Sequence, residues 1–131
     1  MMDRFLFRGK DYDGNWQTGS LVRSGNNEYY IYTSINIFWA IEDIATIGQC
    51  TGLKDENGNL IFEGDIIKSV HPSPDVPKET GIVKWHNDEL GWQLDTGGKY
   101  LECIGYGGNM YEIVGNIHDN PELLEVTANE N

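Results

Sequence analysis

Apolar and polar residues alternate with a period of two along most of this chain, between clusters of Gly, Asn and Asp. That rhythm predicts short strands joined by tight turns. Residues 4–8 read as a first strand and 16–23 as its partner. Between them Asp11-Tyr12-Asp13-Gly14-Asn15 carries an Asp-Gly pair, which tolerates the positive φ of a hairpin turn. A turn at 24–27 leads to a third strand over 28–33. The stretch 34–45 fits two periods: Ile35, Ile37, Trp39 and Ile41 alternate, while Ile37, Ala40, Ile41 and Ile44 share a helical face. Trp, Ile and Phe favour extension, so a strand to Ile41 is expected, then one turn at 42–45.

Strands at 46–53 and 60–62 flank Lys54-Asp55-Glu56-Asn57-Gly58-Asn59, and Asn-Gly between apolar runs is a strong hairpin signal. Glu63-Gly64 interrupts, and a strand resumes over 65–70. Pro72, Pro74 and Pro77 lack the amide a ladder needs, which makes 71–80 an exposed loop. A hairpin at 81–85 and 91–94 turns around His86-Asn87-Asp88-Glu89. After a turn at 95–98, residues 99–104 extend, 105–109 loop, and 110–114 form the last strand. Asn120-Pro121 places a capping residue before Pro at the first helical position, so a short terminal helical turn follows. About nine short strands imply an all-β fold: a small barrel or sandwich of antiparallel hairpins. One domain is expected over 1–126, with 127–131 as a flexible tail. The 71–80 loop is the natural dividing line if the domain holds two β subunits.

Composition narrows the function. The 131 residues suit one domain able to bury a core without staples, and 16 Gly against 4 Pro fits many turns. Nine basic and 21 acidic residues give a net charge of −12. A field of that sign repels nucleic acid and anionic membrane surfaces, so direct nucleic-acid binding and membrane association are disfavoured. Cys50 and Cys103 are too few for a disulfide framework. With no signal-peptide pattern and no apolar run of membrane-spanning length, a cytoplasmic location with reduced thiols is expected.

Three segments together resemble the YopX family of phage and prophage proteins. They are Thr46-Ile47-Gly48-Gln49-Cys50-Thr51-Gly52-Leu53-Lys54-Asp55-Glu56-Asn57-Gly58, then Ile61-Phe62-Glu63-Gly64-Asp65-Ile66-Ile67, and last Ile113-Val114-Gly115-Asn116-Ile117-His118-Asp119-Asn120-Pro121-Glu122-Leu123-Leu124. The recurring positions Gly48, Thr51, Gly52, Asn57, Gly58, Glu63, Gly64, Asp65, Gly115 and Asn116 read as a structural motif. The chain departs from the family pattern at Cys50, often aromatic there, and at Ile44, often Pro. The resemblance implies a phage-associated all-β protein with SH3-like barrel character in a bacterial host, and it implies no catalytic residue.

Candidate chemistry is sparse. Residues 51–58 lack the Gly-Lys-Ser/Thr ending of a phosphate loop and lead into a strand, which favours a hairpin. Glu63 and Asp65 have the spacing for acid–base work or a hard cation, yet Asp beside Gly more often closes a turn. Cys50, His71, His86, Cys103 and His118 have no zinc spacing, and the cysteines are expected to point inward. Neither a catalytic residue nor a cofactor is expected. The aromatics are more telling. Trp85 and Trp92 flank one turn and, with Tyr106, are the candidate protein-binding surface, although cross-strand pairing in the core is the favoured role for the two Trp. The expected function is a non-enzymatic protein-binding or assembly module with an unidentified protein partner and self-association through sheet edges. Two alternatives are an acidic DNA-mimicking decoy of a host nucleic-acid enzyme and a divalent-metal hydrolase using Glu63 and Asp65.

Overall fold

A computed structural model describes residues 3–75, 78–97, 102–104 and 108–124. The chain forms two compact units, Met1–Gly52 and Leu53–Asn131. Both are built of antiparallel hairpins, as the alternation predicts.

The first unit contains β1 (Phe7–Lys10), β2 (Trp16–Arg23), β3 (Tyr29–Tyr32), β4 (Phe38–Ala40) and the start of β5 (Gly48–Lys54), in the order β4-β3-β2-β1-β5. The expected strand at 4–8 begins late. Asp3–Phe5 coil into a 3₁₀ turn, and pairing starts only where Phe7 meets Gly19 on one side and Gln49 on the other. The expected strand through 34–41 is also shorter. Thr33 to Ile37 turn first, with Asn36 at φ 62°, so only Phe38–Ala40 pairs with β3. A second 3₁₀ turn, Ile44–Thr46, is capped by Asp43, whose carboxylate accepts the Ala45 amide. Along β3 and β4, Ile31 and Ile41 are buried, whereas Tyr30, Tyr32 and Phe38 occupy the opposite face.

In the second unit β5 turns at Asp55 into β6 (Leu60–Phe62). Then come β7 (Asp65–Ser69), β8 (Thr80–His86), β9 (Gly91–Asp95), β10 (Glu102–Cys103) and β11 (Tyr111–Asn116). The last five make one sheet in the order β10-β9-β8-β7-β11. Ile61, Ile67, Val83, Leu94, Ile104 and Tyr111 form its core, with Leu53, Trp92, Met110 and Ile113 packed against them. Burial of such side chains stabilises the fold by about 1.5–3 kcal/mol each. The compact units divide at Gly52 and Leu53, not at the 71–80 loop. That loop joins β7 to β8, which pair with each other (Ile66 opposite Ile82), so it is a hairpin connection inside the second unit.

The turns share one construction. At Asp11–Asn15, Ser24–Glu28, Thr33–Ile37 and Asp55–Asn59 the first residue's N–H donates to the carbonyl four residues on. The fourth residue's N–H returns a bond to the first carbonyl. This is a type I turn closed by a left-handed residue, and Gly14, Asn27, Asn36 and Gly58 supply the positive φ. Near the C-terminus β11 carries a bulge between Ile113 and Gly115. A Cβ on Gly115 would lie 2.6 Å from Asn120 Oδ1, so glycine is what lets Asn120 approach. Asn120 accepts from the Leu123 amide, and 122–124 are helical, the short terminal turn expected. Tyr106, the tail 127–131 and residues 98–101 lie outside the described residues.

Candidate functional site

The β8–β9 hairpin brings together the residues singled out for surface chemistry. Trp85 and Trp92 are direct cross-strand partners, and their rings meet edge-to-face with centroids 5.3 Å apart. Trp92 packs on the core cluster, while Trp85 stays 43% exposed with its indole N–H donating to Asn87 Oδ1 at 2.8 Å. The pair is therefore split: one ring is anchored in the core and the other is presented. A two-χ aromatic fixed in this way offers rigid contact area at low entropic cost.

The connection is Asn87-Asp88-Glu89-Leu90, and all four are exposed. Leu90 adopts φ 52° and is 77% exposed. Gln93 Nε2 donates to Glu89 Oε2 at 3.1 Å and ties the tip to β9. Lys84 is committed to Asp95 in an ion pair of 2.7 Å, and its ammonium, with the Gly97 amide, holds the Asp95 carboxyl below its ordinary value. Asp88 and Glu89 thus dominate the charge of the tip.

The other sequence candidates resolve into structural parts. Asp65 is 2% exposed, and its Oδ2 accepts the Phe62 amide at 2.7 Å across Glu63-Gly64, with Gly64 at φ 91°. Gly64 also bonds the Val83 carbonyl and the Ile117 amide, which places the motif at a junction of backbone hydrogen bonds. Residues 51–58 form the end of β5 and the Asp55 turn, as the hairpin reading requires. Gly48 and Thr51 are buried in β5, and Gly52 takes φ 83° beside Arg4. Asn57 and Gly58 lie in the Asp55 turn, while Asn116 Oδ1 accepts the amides of His118 and Asp119. Cys50 is buried with its Sγ accepting the Gly52 amide at 3.4 Å, and His71 Nδ1 accepts the Ser73 amide. Among the described residues no three His, Cys, Asp or Glu gather as a metal site.

Asp55 shows the most developed electrostatics. It is 4% exposed, with Oδ1 accepting the Asn57 and Asn59 amides and Oδ2 accepting Ile113 N–H at 3.1 Å. Burial alone would raise its pKa, but the three amides outweigh that and hold it below 3.8. The turn also caps the outer edge of β11, because Glu56 N–H donates to the Tyr111 carbonyl.

Sequence reasoning missed two features. One is Leu90, which lies between the expected turn at 86–89 and the expected strand at 91–94 and was given no role. The other is the exposed apolar surface of the first unit, where the Tyr32 and Phe38 rings lie at a 37° tilt with centroids 4.5 Å apart and Val22 and Ile37 are exposed too. Strict alternation about the buried Ile31 could have assigned Tyr30 and Tyr32 to solvent.

Fold and site define an all-β protein of two antiparallel sheets whose notable surface is a hairpin end with exposed Trp85 and Leu90 beside two acids. Among the described residues no helix is long and apolar enough to cross a membrane. The chain belongs to the YopX protein family, which it matches over residues 4–125. That span includes the Asp55 turn, the Gly64 junction and the Gly115 bulge. A comparison with curated proteins finds no match.

Proposed function

We propose that this chain is a non-enzymatic protein-binding module of phage or prophage origin, acting in the cytoplasm of a bacterial host. The β8–β9 hairpin is its contact surface. One observation carries the reading: Trp85 is held by Trp92 and Asn87 in a fixed orientation and still leaves 43% of its surface to solvent. Aromatic anchors of this kind supply most of the energy of protein interfaces. Immobilised full-length protein in extract from infected or lysogenic cells should retain a protein that the Trp85→Ala variant loses. Retention that ignores Trp85, or no retention by the unmodified protein, contradicts the reading.

A second reading, the acidic decoy, draws on charge distribution. The first unit has four Lys/Arg against six Asp/Glu, while the second has five against fifteen. A net −10 on one compact unit is the polarity such a decoy would need. Competition with duplex DNA for a host DNA-binding enzyme tests it, and absence of competition removes it. Self-association has its own candidate surface in Phe38, 59% exposed on edge strand β4. Light scattering should show a dimer that Phe38→Lys dissociates.

A further inference from the structure

We infer that Leu90 is a presented anchor for a cationic segment of a partner protein, whose apolar residues cover Leu90 and Trp85 and whose Lys or Arg face Asp88 and Glu89. The inference rests on the protein-binding reading and names the kind of partner.

Backbone conformation supplies the first argument. Among the described residues, positive φ falls on Gly14, Gly52, Gly58, Gly64, Gly97, Asn27, Asn36 and Leu90. Every position but one uses glycine or asparagine, the two residues that enter this region at little cost. Leu90 does not belong to that set, because its Cβ crowds the following carbonyl there. At 77% exposure it is also the most solvent-accessible large hydrophobic among the described residues. A leucine that is strained by its backbone and unrewarded by burial serves neither turn nor core. Strain of this kind points to a role in contact.

Charge supplies the second argument and chooses the occupant. Asp88 and Glu89 adjoin Leu90 in an exposed turn, and the Lys84 ammonium nearby is taken by Asp95. With fifteen acidic side chains against five basic in this unit, the tip repels a second copy of itself and an anionic lipid surface. A segment with apolar residues between Lys and Arg satisfies both halves of the surface.

The test pans a displayed random-peptide library against the full chain and measures the selected peptides on variants. Selected sequences should be net basic with apolar residues. Leu90→Asn should weaken them by about tenfold or more without lowering Tm, since asparagine accepts the same φ. Asp88→Asn with Glu89→Gln, or high salt, should weaken them several-fold. Neutral or acidic peptides, or binding indifferent to Leu90→Asn, would overturn this inference and leave the protein-binding reading standing. Partition to anionic vesicles driven by Leu90 and Trp85 would overturn it in favour of a membrane. No binding of any peptide, together with no Trp85-dependent retention from extract, would overturn both.

Discussion

Two hairpin tips in the second unit solve the same geometric problem in opposite ways. At residues 55–59 a buried carboxylate satisfies three amides, and Gly58 takes the left-handed position at φ 84°. At residues 86–91 an exposed Leu90 takes that position at φ 52°, beside two exposed acids. The first tip covers a sheet edge and contributes stability. The second gives stability up in order to present a side chain. The chain therefore contains the better solution and does not use it at the β8–β9 tip. The Asp11 turn in the first unit sharpens the point. It repeats the Asp55 pattern, with Oδ1 accepting the Asp13 and Asn15 amides, but its Oδ2 takes only the nearby Gln17 side chain.

Breaking the stable tip should have the largest effect. Asp55→Ala removes three charge-assisted hydrogen bonds and strands the Ile113 amide at the β11 edge, a loss of about 3 kcal/mol by denaturant titration. Asp11→Ala should cost clearly less, because its bonds are all within one hairpin. Equal losses would mean that the long-range bond of Asp55 adds nothing.

Acid should separate the tips next. Asp55 lies below 3.8 despite burial, and Asp11 is lowered first by Gln17 and then by the Asn15, Asp13 and Gly14 amides. A depressed native pKa means the folded state holds its carboxylates ionised more tightly than the unfolded chain. That stability is complete above pH about 4 and drains away as pH falls through the lower native values. Asp55→Asn should start less stable and lose less between pH 5 and 2, each figure approximate. A parallel fall in both proteins would assign the acid sensitivity elsewhere.

Much of this was readable locally. Trp16–Arg23 and Leu60–Phe62 have the bounds that alternation predicts, and the Asp11 and Asp55 turns follow from Gly and Asn at fixed offsets. The Asp55 bond to Ile113 spans 58 residues, and no local pattern encodes such a contact. The Thr33–Ile37 turn was hidden because Asn36 does a glycine's work inside a run of isoleucines. At the site, the Trp85–Trp92 pairing was legible from their symmetry about the turn. The split of that pair into a partly buried ring packed on the core and an exposed one was not, because it depends on where the core cluster ends.

Trp85→Ala should have a small effect on folding, about 1 kcal/mol, from lost contact with Trp92. A loss of the size seen at Asp55 would make Trp85 a core residue and not a contact residue.

Leu90 is held at φ 52° against the preference of its own backbone. The most direct measurement is the unfolding free energy of Leu90→Gly, which restores at this tip what Gly58 provides at the other. A gain of about 0.5–1 kcal/mol is expected, the relief of the left-handed strain less the added entropy of glycine. A loss of stability would show that Leu90 supports the hairpin, and the case for it as a presented anchor would fail.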